Sequence, residues 1–98
     1  MAKKLWSIFT KDMDFCMYTG RWGVERHHVF HHTSNEKKLS EKYGFIAPLR
    51  PDLHPNGVYR DHRYADKIDA DLKKRCHDYY IQNIGTEEEF RKEFFYRR

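Results

Sequence analysis

The sequence predicts a small α+β domain in which a two-strand region carrying histidines comes before two C-terminal helices. The 98 residues are enough for one domain. Two short apolar segments with strand character enclose a polar stretch, and a pair of histidines lies near the end of the first segment. The C-terminal part instead has apolar residues at helical spacing. Two strands with histidines, followed by helices, are the order that a ββα metal-binding core requires.

The composition indicates a folded chain without a membrane span. Aromatic residues make up 16% of the sequence, whereas disordered chains are poor in them. There is no run of about 18 apolar residues and no apolar core after Lys3 and Lys4, so we expect neither a membrane span nor a secretory signal. The net charge of +4 is compatible with a nucleic-acid partner. Cys16 and Cys76 lie far apart, which predicts free thiols in a reducing compartment.

The N-terminal half contains the two predicted strands. Residues 24–30 form the first strand, which carries the histidine pair, and the polar residues 33–38 are predicted to be a loop. Residues 44–50 form the second strand, placed at a sheet edge by Pro48, which has no N–H to donate. Residues 51–57 carry two prolines and an Asn-Gly pair, which predicts a loop.

Two helices are predicted for the C-terminal half. The first has apolar residues at helical spacing, namely Ala65, Ile68, Leu72, Cys76, Tyr79 and Tyr80, and ends at Gly85. Thr86 begins the second helix, and Glu89 three residues later completes a capping box. Its inner face is expected to consist of Phe90, Phe94 and Phe95.

Histidine is the unusual component of the chain, since four of the seven lie within residues 27–32. His27 and His28 are adjacent in a strand and therefore point to opposite faces. At the strand end, one ring can bind a metal while the other reaches a substrate. His54 follows the second strand and is a candidate second ligand, because imidazole suits zinc and other divalent metals. We expect His31 and His32 to be ligand-free, and His77 to lie on the surface.

The ordered motifs resemble those of small phage-encoded HNH-like proteins over about residues 15–96. The matching segments are CMYTG at 16–20, HHVF at 27–30, LSEKYGF at 39–45, PL at 48–49, His54, GV at 57–58, LKKRC at 72–76, EF at 89–90 and FFY at 94–96. The resemblance implies a ββα-metal core and one domain. Its expected parts within residues 1–98 are an N-terminal extension at 1–14, a metal-binding ββ region at 15–62 and a helical part at 63–98.

The resemblance also assigns roles to three histidines. Carried over from the motif, His27 is a metal ligand and His54 matches the second ligand region. His28 is the general base that activates water in a nuclease of this class.

This chain departs from the family in the loops that form the active site. The family's GVH is Gly57-Val58-Tyr59 here, and tyrosine is a poor neutral ligand. We expect His62 to replace the missing ligand, with the alternatives His31, His32, Tyr59 and Asp61 left open. The family's Gly-Gly after HHxF is also changed, to His31-His32, and its Asn-Arg to Asn35-Glu36. These departures favour a retained scaffold that has lost cleavage.

The favoured function is therefore a phage-derived inhibitor of anti-CRISPR type in the cytoplasm of the bacterial host. It would carry one structural divalent ion, zinc by preference, and bind a host CRISPR effector protein without cutting nucleic acid. The expected contacts are the exposed members of Phe94, Phe95, Tyr96, Arg97 and Arg98.

Two alternatives stay open. The first is an active endonuclease on double-stranded DNA, with His28 as the base and Mg²⁺, Mn²⁺ or Ni²⁺ in place of zinc. Its candidate phosphate contacts are Lys37, Lys38, Arg50, Arg60 and Arg63. The second is a zinc-stabilised nucleic-acid binder without catalysis, for which the basic residues are less dense than such binding favours.

Overall fold

The structure is a computed structural model that describes residues 5–55 and 57–94. It has an α+β architecture, as predicted. In chain order its elements are β1 (Glu25–His28), α1 (Ser34–Tyr43), β2 (Ile46–Leu49), α2 (His62–Asn83) and α3 (Glu87–Glu93). Among the described residues, no helix is long and apolar enough to cross a membrane.

The two strands form one antiparallel sheet. His27 lies opposite Ala47, and His28 lies opposite Ile46. Both strands fall within the segments predicted for them. In the part of the chain that the structure describes, the sheet has two strands, so each is an edge and Pro48 is tolerated opposite Arg26.

A helix occupies the segment between the strands, where a loop was predicted for residues 33–38, so that prediction is wrong. The Thr33 hydroxyl caps α1 by accepting from the Glu36 N–H at 3.1 Å, and Gly44 ends the helix with φ +74°. The hydroxyl of buried Ser40 donates to the Phe30 carbonyl at 2.8 Å, which fastens α1 to the end of β1. This helix is polar on most sides, so hydrophobic periodicity does not reveal it, although Thr33 and Gly44 are recognisable cap residues.

The C-terminal helices agree with the sequence. Asp61 caps α2 by accepting from the Arg63 N–H at 2.9 Å. Thr86 and Glu89 form the predicted capping box of α3. Phe90 is buried on the inner face of α3, as expected, and Phe94 is buried at its C-terminal end; Phe95 lies outside the described residues.

The core is an aromatic cluster between the sheet and the helices. The ring centroids of Phe30 and Phe94 are 4.5 Å apart, and Phe45 and Tyr80 are buried with them. Residues 5–9 are not a strand; they pack against this cluster through Ile8, whose N–H donates to the Gly44 carbonyl at 2.8 Å.

The two cysteines are free and buried, as predicted. Burial raises the pKa of the Cys76 thiol well above its usual value. Residues 51–55 and 57–60 contain neither helix nor strand, which agrees with the predicted loop.

Candidate metal centre

Three histidines from different segments meet at the end of the sheet. His27 on β1 is 1% exposed, and its ring centroid lies 4.8 Å from that of His54, in the loop after β2. His31, which follows β1, lies 5.5 Å from His27 on the same measure. The antiparallel pairing of β1 with β2 brings His54 to His27, because it returns the chain after β2 to the side of β1.

The ring of His27 is neutral at physiological pH and incompletely paired. Burial lowers its pKa to about 3, and the neighbouring His54 and His31 lower it further. Its Nε2 is buried and has no hydrogen-bond partner in the part of the chain that the structure describes. A buried polar atom without a partner costs about 1–3 kcal/mol, so this nitrogen favours a ligand.

Glu25 orients the ring of His54. Its Oε1 lies 2.7 Å from His54 Nδ1. Glu25 stands two residues before His27, so both project from the same face of β1 and both meet His54. Metal-bound histidines commonly donate their second N–H to a carboxylate, which leaves the other nitrogen free to bind the ion. The Glu25–His54 pair has this arrangement, with Nε2 as the free nitrogen.

His28 points to the other face of β1, as its position in a strand predicts. Its Nε2 lies 3.0 Å from Oε2 of Glu41 on α1, and the His28 side chain is 25% exposed. A cavity of about 210 Å³ lies beside it, lined by Arg26, His27, His28, His31, Lys37 and His54. His28, the buried His27 and the cationic side chains of Arg26 and Lys37 therefore line the same cavity.

The donor types fit a divalent ion, but the side chains as placed do not complete a shell. Within residues 5–55 and 57–94, no group of three or more His, Cys, Asp or Glu side chains has metal-binding spacing. The imidazole nitrogens of His27 and His54 are donors that zinc accepts. The ring of His31, 5.5 Å from that of His27, is the candidate for a third.

Other candidate ligands lie elsewhere. His62 is exposed at the first residue of α2 and does not line the cavity. Asp61 is engaged by Arg63 at 2.8 Å, Tyr59 is 73% exposed, and His32 is also exposed.

One expectation about an individual residue is wrong. His77 is buried, not on the surface: its ring lies 4.8 Å from that of Phe90, and it pairs with Glu87. Phe94 is 1% exposed, as its predicted place on the inner face of α3 implies, so it is not among the exposed residues expected to contact a partner. The other expected partner contacts, Phe95, Tyr96, Arg97 and Arg98, lie outside the described residues.

Among the candidate phosphate contacts, Lys37 alone lines the cavity. Arg50 and Arg63 are engaged by Asp52 and Asp61, and Arg60 donates to the Gly57 carbonyl at 3.2 Å. Lys38 is exposed on α1.

Three contributors were missed from the sequence. Arg26 stands two residues before His28, and Glu25 two residues before His27, so the strand period could have placed each on the face of its histidine. Glu41 has no such signal, because its contact with His28 depends on how α1 packs.

Comparison with known proteins adds no relative. No protein-family model, curated protein or solved structure matches the chain. The resemblance to HNH-like proteins therefore stays a prediction.

Proposed function

We propose that the chain is a metal-dependent DNA endonuclease on an HNH-like ββα scaffold. The observation that carries this proposal is that His28, paired with Glu41, lines the same 210 Å³ cavity as His27 and His54. The sequence favoured a non-catalytic inhibitor because the motif is altered in several loops, at His31-His32, at Asn35-Glu36 and at Tyr59. Tyr59 is exposed, however, and His31 lies beside His27, so the altered position need not disable the cavity.

His27 and His54, with His31, would hold the divalent ion. Bound there, the ion would stabilise negative charge on the phosphate and on the leaving oxygen. Glu25 keeps His54 oriented, as its 2.7 Å contact indicates. The burial of His27 favours the neutral ring, which is the form that binds a metal.

His28 would act as the general base. Its Nε2 faces Glu41, so Nδ1 is the nitrogen left to accept a proton from the attacking water. The carboxylate of Glu41 stabilises the resulting imidazolium. The water oxygen then forms a bond to phosphorus, and the bond from phosphorus to the leaving sugar oxygen breaks. Lys37 at the cavity would balance the phosphate charge, whereas Arg26 in the same lining is paired with Asp14 at 3.1 Å.

A nicking assay tests the proposal. Supercoiled plasmid is incubated with protein and Mg²⁺, Mn²⁺, Ni²⁺ or Zn²⁺ in turn, and bound metal is measured by elemental analysis. We expect nicking with at least one ion. His28→Ala should lower its rate by about 100-fold or more, the usual contribution of a general base. Bound metal should not change.

The matched control is His32→Ala, which removes an exposed histidine four residues away. Its rate should equal that of the wild type. Glu41→Gln should lower the rate while leaving the metal content unchanged. No nicking with any ion, or equal rates for His28→Ala and wild type, would overturn the proposal.

The inhibitor of anti-CRISPR type is the second candidate, supported by exposed apolar side chains. Val58 is 88% exposed, Trp22 is 78% exposed and Tyr59 is 73% exposed. Aromatic residues are enriched in protein interfaces, which makes Trp22 and Tyr59 the candidate contacts for a CRISPR effector, with the exposed apolar Val58 beside Tyr59. In this case the metal would have a purely structural role.

An effector assay separates the two candidates. The protein is added to a purified CRISPR effector with its guide RNA, and cleavage of target DNA is followed. Under the inhibitor hypothesis, cleavage falls, Trp22→Ala restores it and His28→Ala has no effect. The control is Ile81→Ala on α2, where the side chain is 40% exposed. Undiminished target cleavage at saturating protein would exclude the tested effector as the partner.

A further inference from the structure

A second cavity, of about 550 Å³, lies at the start of α1. Val29 and Phe30, which are 0% and 3% exposed, lie behind its lining, and Thr33 and Lys73 border it. Glu36 and Lys73 border this cavity and not the metal-site cavity, whereas His31 borders both. Its volume is in the range of small-molecule sites, which combine an apolar wall with a few polar groups.

Glu36 is the unusual residue of this cavity. It is 3% exposed, and its Oε2 has no hydrogen-bond partner among the described residues. The backbone N–H of Glu36 is satisfied by the Thr33 hydroxyl at 3.1 Å, so helix capping accounts for the backbone and not for the carboxylate. Buried carboxylates are normally paired with a cation or with hydrogen-bond donors.

The lysine in the lining of this cavity is engaged elsewhere. Lys73 borders the cavity, but its ammonium lies 3.0 Å from Asp69 Oδ2, one turn earlier on α2. Glu36 lies in the first turn of α1, where the positive end of the helix dipole favours a negative side chain. The terminal torsion of glutamate has a broad energy minimum, so the carboxylate can turn either oxygen toward the cavity at little cost.

We propose that this cavity binds an organic cation with a primary ammonium or guanidinium group, which Glu36 recognises. The cationic head donates to the carboxylate, and the alkyl part lies along the Thr33 methyl and the Lys73 stem in the lining. A hard cation such as Mg²⁺ or Ca²⁺ is the poorer occupant, because Glu36 supplies the one carboxylate in the described lining of this cavity. The inference does not depend on the proposed nuclease activity, since Glu36 and Lys73 are absent from that site.

The test is an NMR titration of the ¹⁵N-labelled protein with n-butylammonium and with agmatine, at constant ionic strength. The controls are n-butanol, which lacks the charge, and butyrate, which reverses it. We expect saturable shifts centred on residues 29–36 and 73 with the two cations only. Equal shifts with butanol, or shifts that do not saturate or that lie elsewhere, would overturn the proposal.

Variants complete the test. Glu36→Gln keeps the shape and removes the charge, and should raise the dissociation constant by about tenfold or more. Glu88→Gln removes an exposed carboxylate of α3 and should leave it unchanged. Lys73→Met removes the positive charge that borders the cavity and repels a bound cation, so it should lower the dissociation constant by about threefold. If Glu36→Gln does not fold, Lys73→Met decides, and unchanged or weaker binding in that variant would refute the site.

Discussion

Replacing His27 by glutamine should remove much of the acid sensitivity of folding in the metal-free protein. The ring is 1% exposed, and burial lowers its pKa from 6.5 to about 3. In the unfolded chain the ring protonates near its ordinary pKa. Between these two values the unfolded state binds a proton that the folded state rejects, so the free energy of unfolding falls as the pH falls. Above pH 6.5 the ring is neutral in both states and adds no pH dependence.

The size of the effect follows from the pKa shift. Each pH unit below 6.5 changes the free energy of unfolding by about 1.4 kcal/mol, until the pH nears the folded-state pKa. Between pH 6.5 and pH 4.5 the contribution of His27 is about 2 kcal/mol. This is a large fraction of the stability of a small domain.

Urea unfolding, followed by far-UV circular dichroism in EDTA, measures this difference. At each pH the free energy of unfolding of His27→Gln is subtracted from that of the wild type. The difference should fall by about 2 kcal/mol from pH 6.5 to pH 4.5. The same subtraction for His32→Gln, at an exposed position, should stay flat. A flat difference for His27→Gln would show that the ring protonates in the folded state, and the reasoning from burial would fail.

Three further variants test the site and the fold. Glu25→Gln should weaken zinc binding by about tenfold, measured by competition with a chromophoric chelator, because it replaces the carboxylate that orients His54 by an amide. Gly44→Ala should lower the free energy of unfolding by about 2 kcal/mol, since the residue has φ +74° and a Cβ would lie 2.7 Å from the Trp6 ring. Thr86→Ala should cost about 1 kcal/mol by removing the α3 cap.

Each of these variants has an outcome that contradicts it. Zinc affinity unchanged in Glu25→Gln would mean that His54 is not a ligand or needs no orienting partner. Gly44→Ala as stable as wild type would disprove the close approach of Trp6, and Gly20→Ala is its control, with positive φ but open space around the Cβ. Thr86→Ser, which keeps the hydroxyl, should retain most of the stability lost in Thr86→Ala.

Part of the candidate site follows from the local sequence pattern, and part depends on how the elements pack. The opposite faces of His27 and His28 follow from the period of a strand, and the sequence therefore predicted them. The neighbours of each ring did not follow. Glu41 reaches His28 only through the position of α1, and His31 reaches His27 only because the chain turns back after β1.

The sequence by itself determined the elements with strong local signals: the two strands, the long helix α2 and the capping box of α3. These depend on periodicity and on side-chain contacts within one turn of chain. Tertiary structure decided α1, whose polar surface hides its helical period and whose Ser40 is held by Phe30. It also decided the burial of His77 and Glu36. Burial depends on how the elements pack, and the local sequence around a polar side chain does not indicate it.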